Sequence, residues 1–189
     1  MFYTNKELQE LGFNSIGDNV LISNKSSIYG AKNIDIGSNV RIDDFCIISA
    51  GKGGIRIGDY VHIACNAQLI GEGEIIVEDH SQISGKVSIY SSSDDFSGDF
   101  LVGPTIPSEL TNVKSVRVHL EKYVILGCNV VVLPGVTIGQ GTSVGALSLV
   151  SKDLPSSGIY VGNPIRFIKQ RTKGYEDLIL KLWNLIMLL

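Results

Sequence analysis

The chain has 189 residues, enough for one sizeable domain and short for two. With 16 Lys and Arg against 19 Asp and Glu, its net charge of −3 and pI near 5.6 exclude a polyanion binder, which needs clustered positive charge. Hydrophobic residues at 44% and a mean hydropathy of +0.22 exclude a disordered chain, and 21 glycines ask for many tight corners.

The opening MFYTNKELQELGF lacks the uninterrupted apolar run of a secretory signal. Residues 4–12 read as a short helix: Thr4 can cap it, Glu7 completes a capping box, and Gly12 ends it. Such a helix would cover the first coil of the fold and protect its sheet edge. From Ile16 an aliphatic residue then recurs every six positions: Ile16, Ile22 and Ile28; Ile36, Ile42 and Ile48; Ile57, Ile63 and Leu69; Val77, Ile83 and Ile89. Small or β-branched residues follow four positions behind, as at Val20, Cys46, Ala67 and Ser81. Short insertions shift the phase between blocks. From Leu120 the grid runs unbroken through Leu126, Val132, Ile138, Val144 and Val150.

A period of six fits neither a helix nor a simple alternating strand. It fits short strands that turn a corner and begin again, three to a triangular coil, with coils stacked into a parallel β-helix. Large aliphatics would fill the prism, and small residues would sit where walls converge. The Gly, Asn and Asp of IGSN, IGDY, LGCN and IGQG are expected at corners, where positive φ is needed.

Residues 94–117, with Pro104 and Pro107, form a long off-grid loop of the kind that usually carries function. After Pro164 comes a return segment, then a helix near 175–189 with Trp183 and many leucines. Its run LILKLWNLIMLL is too short to span a membrane, which takes about 20 residues. Packing on the prism or on a neighbouring subunit is expected, and membrane contact is not. Cys46, Cys65 and Cys128 make no CxxC pair and no even framework, as in a reduced cytoplasmic protein. The organisation is a cap helix over 1–15, a β-helix over 16–164 with 94–117 extruded, and a return segment with helix over 165–189.

The run ILGCNVVVLPGVTIGQGTSVGALSLVSKDLP, continued by YVGNPIRFIKQR to residue 171, resembles the hexapeptide-repeat acyltransferases. The resemblance spans nearly the whole chain, including the ELQELGF start. Segments RIDDFCI and IYSSSDDFSG with GPTIP are most similar to N-acyltransferases of nucleotide-linked amino-deoxy sugars, the anthrose-pathway acyltransferase among them. It implies an all-β solenoid, a left-handed parallel β-helix, assembled as a homotrimer with three active sites between adjacent prisms. Acetyl-CoA or another acyl-CoA would be the co-substrate and a small sugar the acceptor, for surface polysaccharide or glycan biosynthesis. The 94–117 loop would reach across to a neighbour. Neither a metal nor nucleic acid is implied.

Carried over by position, Cys128 in LGCN, Ala146 in VGA, and Ser151 with Lys152 in SKD match cofactor contacts. Cys128 stands where the family more often has serine. Arg166 and Lys169 in NPIRFIK match basic residues near the nucleotide end, which suits the phosphates of CoA. O-acetylating relatives place a catalytic histidine just before the long loop, where this chain reads SSSDDF and has no histidine between His80 and His119. A sugar hydroxyl needs a well-placed base, whereas a neutral amine is already nucleophilic and needs only help in losing its proton. Asp94 is therefore the candidate base, with Asp95 as the alternative and turn capping as the other role for Asp94. Glu78 and Ser84 each follow an inward aliphatic, would point outwards towards a shared groove, and by resemblance would orient the acceptor.

O-acetyl transfer to a sugar hydroxyl and an inactive β-helical scaffold are the alternatives. Related β-helices include zinc carbonic anhydrases, which hold the metal with three histidines across a subunit interface. Here His62 and His119 precede an inward aliphatic while His80 sits three residues after one, so the three imidazoles do not converge and no metal is expected. His62 remains free to line the cleft.

Overall fold

A computed structural model describes residues 1–186. The chain winds into a left-handed parallel β-helix of about seven turns, with α1 (Asn5–Glu10) before it and α2 (Gly174–Ile186) behind it. The first wall stacks Ser15–Ile16, Ile34–Ile36, Ile55–Ile57, Ile75–Val77, Val118–Leu120 and Thr137–Ile138. The second stacks Leu21–Ile22, Arg41–Ile42, His62–Ile63, Gln82–Ile83, Ile125–Leu126 and Ser143–Val144, then Gly158–Val161 and the antiparallel Arg166–Gln170. The third stacks Ser27–Tyr29, Ile47–Ala50, Gln68–Gly71, Ser88–Tyr90, Val131–Val132 and Leu149–Val150. Below, the first corner joins walls one and two, the second joins two and three, and the third joins three and one.

The hexad grid is the core. Ile22, Ile42, Ile63 and Leu126 are fully buried inside the prism, each stabilising it by about 1.5–3 kcal/mol relative to exposure. Val40, Ala67, Val87 and Val130 fill the convergent corners, as do the buried hydroxyl residues Ser81, Thr142 and Ser148. Those hydroxyls are satisfied by backbone carbonyls: Ser81 donates to Glu121 at 3.2 Å and Thr142 to Pro155 at 2.8 Å. At the N-terminus Thr4 caps α1 through a full capping box, and Leu8 is buried. Tyr3 and Asn24 exchange main-chain hydrogen bonds with Ile22 and Met1 at 2.9 and 3.0 Å, which covers the edge of the first coil.

The phase shifts in the grid all have one address. Ile16 pairs with Ile36, Ile36 with Ile57, Ile57 with Val77, Val77 with Leu120, and Leu120 with Ile138. Every surplus residue beyond three hexads leaves the prism at the third corner: around Gly30–Asn33, at Gly51–Gly54, at Glu72–Glu74, and in the long loop after Ser91. The neck of that loop is an antiparallel pair, Ser92–Ser93 with Lys114–Ser115. The corner glycines divide: Gly141 of IGQG takes the expected positive φ, at 70°, whereas the glycine that follows each inward aliphatic does not. Left-handed corner positions are held by residues such as Asn39, Asn66 and Asn129, with φ of 58–61°. The glycine of each IG pair instead lets the next coil come close: a Cβ on Gly37 would stand 2.7 Å from the Gly58 carbonyl carbon.

Three of the left-handed positions at the first corner carry rings. Tyr60 stacks on His80 at 4.9 Å between centroids, and His80 on Tyr123 at 5.3 Å. The helix α2 completes this column: Tyr175 sits against Tyr123 at 5.0 Å, over the space left open by Gly141, and Trp183 meets Tyr60 and His80 edge-on. Arg171 donates to the Tyr123 and Gly141 carbonyls at 2.9 and 3.0 Å and stacks over Tyr175. The expected C-terminal helix thus packs on its own prism; residues 187–189 of the expected span lie outside the described residues.

Burial pushes the His80 imidazole below its usual pKa, with Lys122 adding to the effect and Asp79 and Asp59 opposing it. The unfolded chain takes up this proton at about pH 6.5, before the folded chain does, so stability should fall as pH drops below that point. Loss from Asp79 and Asp44, whose carboxyls are held below the usual range, begins only below about pH 4. His80→Tyr keeps the stack and should flatten the decline in urea midpoint between pH 6.5 and 5. An unchanged decline would contradict this role for His80.

Candidate active site

Asp94 stands at the third corner, just beyond the neck of the loop. It is exposed, and among the described residues its carboxylate accepts a single long hydrogen bond, from the Gly103 N–H to Oδ1 at 3.5 Å. Asp95 is committed elsewhere. Its carboxylate accepts from the Ser97 hydroxyl, from the Ser97 N–H at 2.7 Å and from Asn112 Nδ2 at 2.9 Å. Those bonds, the Ser97 hydroxyl foremost, hold Asp95 below the usual carboxylate range. Of the two, Asp94 is the carboxylate left free to meet a substrate.

Ser84 lies at the second corner and Glu78 at the first, where Glu78 Oε1 pairs with His119 Nε2 at 2.7 Å. Asp94, Ser84 and Glu78 therefore occupy three different corners around a single coil. Ser84 and Asp94 flank the two ends of the strand Ser88–Tyr90; at about 3.3 Å per residue, that is far beyond hydrogen-bond reach. Among the described residues, no hydrogen bond joins any two of them within one chain. Glu78 and Ser84 do flank one surface, the outer face of the second wall.

The remaining predicted residues sort onto the same corners. Cys128 and Ala146 are exposed at the second corner, on successive coils above Ser84. The backbone rungs are continuous: Ser84 N–H donates to the Leu126 carbonyl at 3.0 Å, Gly127 N–H to Val144 at 2.8 Å, and Leu147 N–H to Cys128 at 2.9 Å. Farther along, Arg166 and Lys169 are exposed on the antiparallel strand that extends the second wall. Ser151 and Lys152 are exposed at the third corner, on the side of Asp94. Between the second and third corners runs the outer face of the third wall, with Ile47, Ile70, Tyr90, Val131, Leu133 and Leu149 only partly covered.

The three histidines stand apart: His62 on the second wall, His80 at the first corner, His119 on the first wall. Among the described residues no group of three His, Cys, Asp or Glu is placed to hold a metal. One network escaped the sequence reading. Asp43 Oδ1 accepts from Arg41 Nε at 2.7 Å, and Asp43 Oδ2 pairs with His62 Nε2 at 2.8 Å. Its signal was present, since Arg41 and Asp43 flank the inward Ile42 and His62 lies one coil on.

No protein-family model matches the chain. A dTDP-4-amino-4,6-dideoxy-D-glucose acyltransferase of Escherichia coli is 49% identical over 172 residues, covering 91% of this chain and 90% of that protein. The chain belongs to the nucleotide-amino-sugar N-acyltransferase family. AntD, an N-acyltransferase from Bacillus cereus solved with dTDP and 3-hydroxybutyryl-CoA, superposes with a TM-score of 0.91 at 45% identity, covering 98% of this chain and 97% of that one. AntD has also been solved with a single serine or a single aspartate replaced. A more distant relative is the lipopolysaccharide biosynthesis O-acetyl transferase WbbJ of Escherichia coli K12, described there as putative, 33% identical over 82% of this chain and 79% of its own length.

The coils lie close together at the second corner. A Cβ on Gly127 would fall 2.6 Å from the Ala146 nitrogen and 3.0 Å from the Val144 oxygen, both main-chain atoms that cannot swing aside. Gly127→Ala should therefore cost about 1–3 kcal/mol in a denaturant titration, the range for an overpacked site. A stability equal to that of the unmodified chain would show that this corner has slack.

Proposed function

We propose that the enzyme transfers an acyl group from acyl-CoA, acetyl-CoA or a longer thioester, to the amino group of a nucleotide-linked amino-deoxy sugar destined for a surface glycan. One observation carries the reading. At the mouth of the long loop this chain, 49% identical to an amino-sugar acyltransferase, offers a free carboxylate, Asp94, and no histidine. Transfer to a hydroxyl would demand a stronger base at that position than a carboxylate supplies.

The reaction site is a groove between two copies of the chain in a homotrimer. One copy contributes its second corner, with Ser84, Cys128 and Ala146; the next contributes its third corner, with Asp94, Ser151 and Lys152. Three features support this assembly. The candidate residues cannot meet within one chain, the third wall between the two corners leaves Ile47, Ile70, Val131, Leu133 and Leu149 partly uncovered among polar neighbours such as Gln68 and Ser88, and the loop exposes Phe96, Phe100, Leu101 and Val102. Exposed apolar patches of this kind mark contact surfaces. The unpaired thiols of Cys46, Cys65 and Cys128 fit a reducing cytoplasm, and among the described residues no helix is long and apolar enough to cross a membrane. Residues 16–164 act as the catalytic body, with 1–15 as its cap and 165–189 as the return segment and buttress.

In the groove an extended acyl-CoA runs along the second corner past Cys128 and Ala146 towards the cations Arg166, Lys169 and Lys152. Ser84 and Glu78 orient the acceptor, so that its neutral amine meets the thioester carbonyl in line. Attack forms the C–N bond and a tetrahedral oxyanion, and Asp94 accepts the proton lost by the amine. Collapse breaks the C–S bond, and the CoA sulfur leaves and takes up a proton.

Asp94→Asn keeps the shape and removes the base. It should lower kcat by about 100-fold or more, the usual contribution of a general base, with acyl-CoA affinity unchanged by calorimetry. An unaltered kcat would remove Asp94 from the mechanism. Lys152→Gln combined with Arg166→Gln should raise KM for acyl-CoA about ten-fold or more, since charged hydrogen bonds contribute roughly 1.5–3 kcal/mol each. An unmoved KM would put the phosphates elsewhere.

A further inference from the structure

The loop that carries Asp94 is clamped immediately beyond its neck. The neck pairs Ser92 with Ser115 and Ser93 with Lys114, antiparallel, and the main-chain ladder stops there. Two places farther out the same register sets Asp95 opposite Asn112, and side chains take over the pairing: Asn112 Nδ2 donates to Asp95 Oδ2 at 2.9 Å. Asp94 is the single residue of the outgoing limb between the last ladder pair and this bond. The two limbs meet again beyond it, where the Leu101 N–H donates to the Leu110 carbonyl at 3.0 Å.

Asp95 is arranged to hold and not to react. Its Oδ1 accepts from the Ser97 N–H at 2.7 Å and from the Ser97 hydroxyl, and that hydroxyl in turn accepts from the Asp99 N–H at 3.1 Å. Both carboxylate oxygens are therefore committed, Oδ1 within the outgoing limb and Oδ2 across to the returning one. Ser97 is foremost in holding the carboxyl ionised, with Asn112 and Lys114 adding to it, so the clamp carries its charge at neutral pH. Asp94 is the opposite case. Its carboxylate is exposed, with one long bond from the Gly103 N–H and no side-chain partner among the described residues. What fixes it is the main chain on either side: the ladder and the Ser93 hydroxyl, which donates to the Asp94 carbonyl at 3.0 Å, and the clamp at Asp95.

A base that must meet an amine in line works only if its own placement is fixed, and a shift of about 1 Å can cost about 100-fold in rate. A long loop supplies such placement poorly unless its limbs are tied together, because ordering each residue costs conformational entropy. We propose that Asp95 and Asn112 are the positioning pair of the transfer reaction, holding the main chain of Asp94 so that its free carboxylate meets the acceptor amine. The pair acts through Asp94 and not on the substrate. This assignment rests on the reading of Asp94 as the base and specifies what keeps an exposed carboxylate within reach of the proton it accepts.

Asn112→Ala removes the bond between the limbs and leaves Asp94 itself intact. It should lower kcat about ten-fold or more, with KM for acyl-CoA unchanged. Exchanging the partners, Asp95→Asn together with Asn112→Asp, should return kcat close to that of the unmodified enzyme. An amide at 95 can still accept from the Ser97 N–H through its oxygen while its NH2 donates to a carboxylate at 112. Adding Asn112→Ala to Asp94→Asn should cost nothing further, since the base that the pair positions is already gone. A full kcat in Asn112→Ala, an exchanged pair no more active than Asn112→Ala, or a loss that multiplies with that of Asp94→Asn would each overturn the assignment. Failure of the underlying reading looks different: Asp94→Asn would then keep its own kcat, and the positioning pair would fall with the base.

Discussion

Each coil hands its main-chain N–H and C=O groups to the coils above and below, and every feature of this enzyme is subject to that ladder. The rungs fix the distance between coils, so a residue placed at a corner recurs as a column along the prism. They also decide what a corner tolerates. Gly37 and Gly127 are glycines because the neighbouring coil leaves no room for a Cβ, and the left-handed corner positions beside them accept Asn, Tyr, His and Phe. Inside, the columns are isoleucines and leucines; outside, they become rows of functional groups at a fixed pitch.

The residues proposed for the groove stand chiefly at two corners: Ser84, Cys128 and Ala146 at the second, and Asp94, Ser151 and Lys152 at the third. The third corner is also where every insertion leaves the prism, so the loop bearing Asp94 enlarges an irregularity already present in the coils below. A rigid prism cannot fold its corners towards one another. Residues on two of them can share a substrate only when a second copy brings its own corner alongside. The first corner carries Glu78 and also serves the fold, where stacked Tyr60, His80 and Tyr123 receive Tyr175 and Trp183 and bind α2 to the prism.

Much of this was legible in the residues. The six-residue grid named the buried side chains almost one by one, and the Thr4–Glu7 capping box marked α1. The motifs of the last coils, with the missing histidine, led to the chemistry. Other features were hidden for physical reasons. A period of six is blind to which of three corners a residue occupies, so it does not show that Glu78 and Ser84 stand at opposite edges of the second wall. The ring column joins residues a full coil or more apart, and no local pattern announces it. Asp94 and Asp95 are equivalent as letters; only the hydrogen bonds from Ser97 and Asn112 distinguish them. The glycines were rightly expected at corners; Gly141 is there for its positive φ, and Gly37 and Gly127 for a stacking distance that no local pattern reveals.

A groove shared between copies makes a demand that no single-chain site makes. Ser84→Ala and Asp94→Asn chains, each weak alone, can be co-expressed under different tags and purified as mixed assemblies. If Ser84 comes from one copy and Asp94 from the next, each mixed trimer has one groove of its three, about a third, with both native residues. Activity should then return to roughly that fraction of the unmodified enzyme. Mixed assemblies no more active than the two variants apart would contradict a site built between subunits.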